Sequence, residues 1–278
     1  MSFFQKILSS VMKGTRRLNR IGSKSFGKLH KDINKAVDSV MSTTGEVSSL
    51  VYAEHLLNLI ENQDDKGLKK FLLNLLSNYD IDTGKLIEDV KTYNNDKNDQ
   101  NLKKINISAE PKWIELFRRL NSTSNGTSRL VKLRERIRAL EDSDLKAFDS
   151  GLLKLFKYWF NPSFLVLEKI DWETPANILE KIIEYEAVHE INSWDDLRAR
   201  LAPLDRQCFA FFHPLIPNDP LIFVEVALCS ETPKSIQEII KIDREETDIE
   251  KVNTAIFYSI SNCQNGLLLS LIHISEPT

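Results

Sequence analysis

Ala255-Ile256-Phe257-Tyr258-Ser259-Ile260-Ser261 runs straight into Asn262-Cys263-Gln264-Asn265-Gly266-Leu267. Branched and aromatic side chains dominate the first block, which predicts a strand over Thr254 to Ser261. The second block is a polar turn around Gly266, the sole glycine after Gly151. A strand that ends this way ahead of a helix can aim backbone N–H groups at a phosphate. Taken by themselves, the residues favour the plainer reading, an ordinary strand-to-helix turn with a left-handed glycine.

Two further runs have the length and branching of buried strands, Cys208 to His213 and Leu221 to Cys229. Helices are expected around them. Thr174 before Pro175 reads as an N-cap that opens a helix through Ile178, Leu179, Ile182 and Ile183. Ser193 with Asp196 starts a second, and Thr232 with Pro233 a third. The acidic run Asp243 to Glu250 reads as a solvated loop. The order helix, helix, strand, strand, helix, strand predicts an α+β sheet domain. Only 17 residues follow Ser261, which reads as too few to cover the sheet and its edge.

The first 110 residues contain no proline, the strongest helix breaker. Leu50, Ala53, Leu57 and Ile60 share one helical face; so do Leu68, Phe71, Leu72, Leu75, Leu76 and Tyr79, and then Leu86, Ile87, Val90 and Tyr93. Asn94 to Ser108 reads as a long exposed connection. Trp113, Ile114, Phe117 and Leu120 give another helix, closed by a turn from Asn121 to Ser128. Leu145, Phe148, Leu152, Phe156 and Trp159 form the inner face of a last helical pair. This half is predicted to be an all-helical bundle.

Charge is distributed unevenly. Residues 1–31 hold eight Lys or Arg and no acid; removing those eight from the 37 bases leaves 29 against 40 acids, so the remainder carries −11. A basic, serine-containing amphipathic start reads as a mitochondrial transit segment over residues 1–38, with a flexible basic arm or a lipid-surface helix as alternatives. A net charge of −3 argues against a nucleic-acid binder held by overall charge. No apolar run is long enough to cross a bilayer. The three cysteines, Cys208, Cys229 and Cys263, are too few and too scattered for a disulfide framework or a zinc site.

The chain resembles the malonyl-CoA decarboxylase family. The likeness rests on Leu120-Asn121-Ser122-Thr123, Arg129-Leu130-Val131-Lys132-Leu133-Arg134, Trp159-Phe160 and Ser163-Phe164-Leu165. It continues in Glu184-Tyr185-Glu186-Ala187-Val188-His189, Trp194-Asp195-Asp196-Leu197 and Val226-Ala227-Leu228. Its most specific block is Ala255 to Ser261 with Gln264-Asn265-Gly266-Leu267, and it spans residues 45–267.

That resemblance implies a helical self-association domain over residues 39–160 and the first part of a GNAT-like (acetyltransferase-like) catalytic domain over 161–267. It implies homo-oligomers, malonyl-CoA and acetyl-CoA as ligands, and no metal or organic cofactor. It also implies that Gln264, Asn265, Gly266 and Leu267 begin the loop whose backbone amides hold the CoA pyrophosphate. The mitochondrial matrix is the implied location, with cytoplasm and peroxisome as further sites. From Leu268 to Thr278 the sequence departs from the family pattern and reads as an aberrant tail on a truncated frame. The family's catalytic Ser and His fall beyond this point, so no catalytic residue is assigned here, and His273 is not promoted to one. The chain alone is expected to be inactive; a non-catalytic isoform that joins full-length subunits is the alternative.

Other candidates are weighed as structural. His189 and His213 have no metal-spaced partners. Arg129, Lys132, Arg134, Arg136 and Arg138, interrupted by Glu135 and Glu141, read as a solvated helical face. Glu225, on the face of Phe223 and Ala227, reads as an exposed edge residue, with a substrate cavity as the alternative. The three thiols read as buried and inert.

Overall fold

A computed structural model describes residues 29–269. Most of the basic segment and most of the tail, His273 included, lie outside the described residues. The chain divides into two compact units, the division falling after Lys154.

The first unit is helical. It contains α1 (Ile33–Ser42), α2 (Glu46–Glu61), α3 (Asp65–Asn78), α4 (Thr83–Asn95), α5 (Asp99–Ser108), α6 (Lys112–Asn121) and α7 (Gly126–Ala139), and runs into α8 (Lys146–Trp159). Short acidic or amide side chains start these helices by accepting the otherwise orphaned first-turn N–H groups: Asp32, Asp64, Asp82 and Asn98. The core is built from the expected faces, with Ala53, Leu57 and Ile60 of α2 and Leu68, Phe71, Leu72 and Leu75 of α3 buried. Trp113 packs against Phe117 and Phe148, with ring centroids 5.7 and 4.7 Å away. Gly151 of α8 sits beneath that indole. A Cβ there would overlap Trp113 Cη2 and lie 2.7 Å from Cζ3 and 2.9 Å from Ile114 Cδ1.

Three expectations for this unit fail. Asn94 to Ser108 is not an extended connection, because Asn98 accepts from Asn101 N at 2.8 Å and nucleates α5. The turn after α6 ends sooner than Ser128: Asn125 takes a left-handed conformation and Gly126 already opens α7. The basic face of α7 is mostly engaged, with Lys132 alone among its five bases exposed. Arg129 pairs with Glu54 and Glu61 of α2, fully buried Arg134 pairs with Asp149 of α8, and Arg136 donates to the Gln63 carbonyl. These arginines tie α7 to its neighbours through charge-assisted bonds. In α4, by contrast, the expected apolar face lies partly outside: Ile87 and Val90 are exposed, as are Leu102 and Ile107 of α5.

The second unit is a sheet with helices. Its elements are β1 (Val166–Ile170), α9 (Ala176–Tyr185), α10 (Trp194–Leu201), β2 (Arg206–Phe212), β3 (Ile222–Cys229), α11 (Ile236–Ile240) and β4 (Thr254–Asn262). The strands pair in the order β1-β2-β3-β4, antiparallel throughout. β1 is an unexpected fourth strand; Glu168 and Lys169 interrupt its apolar pattern and its edge position leaves them exposed. Ile178, Leu179 and Ile182 of α9 and Leu197 and Leu201 of α10 join Cys208, Ala210, Phe212 and Phe223 of the sheet in one core.

The caps differ in detail. Ser193 accepts from Asp196 N at 3.1 Å, as its spacing predicts. Thr174 instead accepts from Asp171 N, leaving Pro175 at the N-cap of α9. α11 starts after Ser235, past the Thr232-Pro233 pair. The acidic run is anchored at two points, since Arg244 clamps fully buried Asp205 with two bonds of 2.7 Å and Thr247 N donates to it at 2.8 Å. Trp172 and Trp194 meet edge to face at 6.1 Å on the surface, with the Arg198 guanidinium over Trp172.

Candidate functional site

Glu225 lies in β3, between β2 and β4, with no exposed surface, so the edge reading is corrected. Pairing opposes it to Cys208 on one side and Ser259 on the other. The register then slips: Glu225 faces Ser259 and Val226 faces Phe257, so Tyr258 is an extra residue bulged out of β4. A bulge re-aims the side chains that follow it, here those leading to the candidate turn.

Polar groups gather behind this irregularity. Arg200 of α10 donates to Glu225 Oε2 at 3.1 Å and to the Glu190 carbonyl at 3.1 Å. Glu225 Oε1 has no hydrogen-bond partner of normal geometry. Burial pushes the Glu225 carboxyl up to about 7; Arg200 opposes the shift and the nearby Glu186 carboxylate adds to it. The Tyr258 hydroxyl favours the ionised Glu225 more weakly. Glu186, just past α9, is buried and accepts from Val188 N at 2.9 Å, His189 N at 2.7 Å, Ser259 Oγ at 2.8 Å and Ser261 Oγ at 3.2 Å. The Ser261 hydroxyl in turn accepts from Ala187 N at 3.5 Å. Sequence reading gave these two serines no role. Their spacing of two, which places both on one face of β4, was the available signal.

Gln264, Asn265, Gly266 and Leu267 follow at once. The last three form a 3-10 turn, with Leu267 N donating to the Gln264 carbonyl at 2.8 Å and Leu268 N to that of Asn265 at 3.2 Å. No described glycine has a positive φ, so Gly266 is not the left-handed residue the plainer reading expected. Asn265 is exposed while Gly266 and Leu267 are buried. Cys263 N donates to the Leu221 carbonyl at 2.9 Å, fixing the exit from β4. The Gln264 amide is held by Asp219 and the Pro220 carbonyl. The structure thus keeps all four predicted residues together at one end of β4.

The remaining candidates are structural. Cys208, Cys229 and Cys263 are buried free thiols; burial pushes Cys208 and Cys263 up, away from reactive thiolate. His213 is buried against Phe160 at 4.8 Å, its Nδ1 accepts from Leu215 N, and burial holds its pKa down. No group of His, Cys, Asp and Glu among the described residues could hold a metal ion. No described helix is long and apolar enough to cross a membrane.

A helical unit joined to an antiparallel sheet that ends in a polar turn defines a two-part α+β protein. Its relatives define it further. The chain belongs to the malonyl-CoA decarboxylase family: the family's N-terminal domain matches residues 79–160 and its C-terminal domain residues 163–270. The mitochondrial malonyl-CoA decarboxylase of Anser anser anser is 40% identical over 165 residues, 56% of this chain and 32% of that protein. The Rattus norvegicus mitochondrial protein is 32% identical over 172 residues, 59% of this chain and 35% of that one. The chain therefore spans about a third of these relatives' length. Crystal structures of the decarboxylases from Agrobacterium vitis and Rhodopseudomonas palustris superpose with TM-scores of 0.82 and 0.81 at 44% and 43% identity. They cover 86% and 85% of this chain, and 58% of each of theirs.

Proposed function

We propose that the protein to which this chain belongs converts malonyl-CoA to acetyl-CoA and CO2, and that residues 264–267 begin its CoA phosphate loop. The reading is carried by the family's C-terminal domain, whose match runs through β4 and the turn after it. Loss of CO2 leaves an enolate whose thioester oxygen carries the negative charge; that charge must be stabilised and the α-carbon must receive a proton. Turnover is assigned to the complete protein, and CoA contact to residues 264–267.

The unit after Lys154 is read as the first part of a GNAT-like domain, supported by an antiparallel sheet with two helices inserted between its first two strands. Self-association through the helical unit is supported by the apolar surface of Ile87, Val90, Leu102 and Ile107. A mitochondrial location is supported by the relatives' names and by the basic start of the sequence.

The test pairs two measurements on the 278-residue chain: CoA affinity by calorimetry and CO2 release from carboxyl-labelled malonyl-CoA. Saturable CoA binding without turnover is expected, and Gly266→Val should abolish the binding by crowding the buried turn. A chain that binds neither CoA nor malonyl-CoA refutes the assignment of the loop.

A further inference from the structure

The start of the candidate turn and the strand before it are held from the same place. Gln264 Nε2 donates to Asp219 Oδ1 at 3.0 Å and to the Pro220 carbonyl at 3.4 Å. That same Asp219 oxygen is 3.0 Å from Lys181 Nζ, and the Tyr185 hydroxyl reaches it at 3.5 Å. Lys181 also donates to the Asn218 carbonyl at 3.1 Å. Lys181 and Tyr185 project from the second half of α9, and Glu186 is the next residue. Glu186 grips Ser259 and Ser261, the strand residues five and three positions before Gln264. The end of one helix therefore fixes the turn twice, through its first side chain and through the strand behind it.

Both grips tie the end of α9 to β4 or to the turn after it. The side chains of Asp219 and Lys181 keep 14% and 29% of their surface exposed, so water could serve both if the Gln264 contact were absent. Glu186 draws its donors from two separate elements, the chain after α9 and β4, and a helix C-terminus is an unfavourable place for a carboxylate.

We propose that Asp219 and Glu186 are positioning residues that set the turn Gln264–Leu267 in its binding conformation before CoA arrives. Neither need touch the ligand. The Gln264 side chain is committed to Asp219, so its contribution to a phosphate would come through the main chain. Ordering the loop in advance removes an entropic cost from binding, and affinity depends on the mount as well as on the amides. The proposal rests on the phosphate-loop reading of this turn.

The test uses the whole chain as wild type, Asp219→Ala, Asp219→Asn and Glu186→Gln. Amide hydrogen exchange over residues 259–267 is measured without ligand, CoA affinity by calorimetry, and thermal midpoint alongside. Asp219→Ala should speed exchange in the turn and weaken CoA binding about tenfold while the midpoint moves little. Asp219→Asn keeps an oxygen for Gln264 and should restore both, which a general loss of stability would not do. Glu186→Gln removes the charge that strengthens its four bonds and leaves a single acceptor oxygen, and should loosen the same segment. Wild-type exchange and affinity in Asp219→Ala, or damage in Asp219→Asn equal to that in Asp219→Ala, overturns the proposal. If the wild-type chain does not bind CoA, the phosphate-loop reading falls, while exchange in the turn still decides whether the two carboxylates set its conformation.

Discussion

Gly151→Ala sets helix propensity against packing. Alanine is about 1 kcal/mol better than glycine inside a helix, so on α8 taken alone the substitution stabilises. In the folded unit the new methyl overlaps Trp113 Cη2 and comes within 2.9 Å of Ile114 Cδ1. Relief requires the indole to retreat by roughly 1.2–1.7 Å to reach ordinary carbon contact at ~3.5–4.0 Å. It has little room, because Trp113 is buried and wedged against Phe117 and Phe148. Overpacking of that kind costs about 1–3 kcal/mol, which outweighs the propensity gain by up to about 2 kcal/mol, a fall of up to roughly 8 °C for a unit near 150 residues. Circular dichroism at 222 nm through a thermal ramp reads the shift. Gly84→Ala is the control, since its Cβ meets nothing closer than Asp82 Oδ1 at 3.5 Å. It should leave the midpoint unchanged or higher. A midpoint for Gly151→Ala at or above wild type would refute the reasoning, because the aromatic cluster would then yield freely.

Glu225 supplies a pH dependence. Burial raises its carboxyl to about 7 when folded, against 4.5 for a free glutamate side chain, so the folded state holds the proton longer. Its contribution is therefore most favourable below pH 4.5 and is lost as pH rises to 7, by about 3 kcal/mol. Urea midpoints at pH 5 and 8 should fall further for wild type than for the double variant Arg200→Met with Glu225→Leu, which removes the buried pair together; equal slopes would count against the shift. Asp205→Ala strands buried Arg206 and frees Arg244 and Thr247, at a cost of about 3–5 kcal/mol. Limited proteolysis within residues 243–250 should accelerate, and an unchanged cleavage rate would show that the loop is held by something else.

Most of the helical unit is legible because its apolar residues recur at 3–4 spacing and its caps are Asp or Asn. α5 escaped that reading: Asn, Asp and Lys there look like a loop until Asn98 is seen to cap it. β1 was hidden for a different reason: Glu168 and Lys169, on opposite faces of this edge strand, are both exposed, so no apolar alternation marks it. Around the candidate turn, the four residues after β4 stand out locally. Glu186 and Asp219 do not, because their meaning comes from partners 73 to 75 and 45 residues away in sequence. Glu225 was misjudged because a carboxylate inside a strand usually marks an edge. Here Arg200, contributed by a helix, makes burial tolerable.

The tryptophans give each unit its own optical label. Trp113 is enclosed by phenyl rings and by the hollow over Gly151, whereas Trp172 and Trp194 stand at the surface of the sheet unit. Acrylamide should quench the exposed pair and spare the enclosed one, leaving a blue-shifted residual emission. With Trp159, Trp172 and Trp194 all replaced by Phe, that residue's light would follow the bundle through denaturation, and the difference spectrum would follow the sheet unit. The melting order of the two units could then be timed in one cuvette without an added dye.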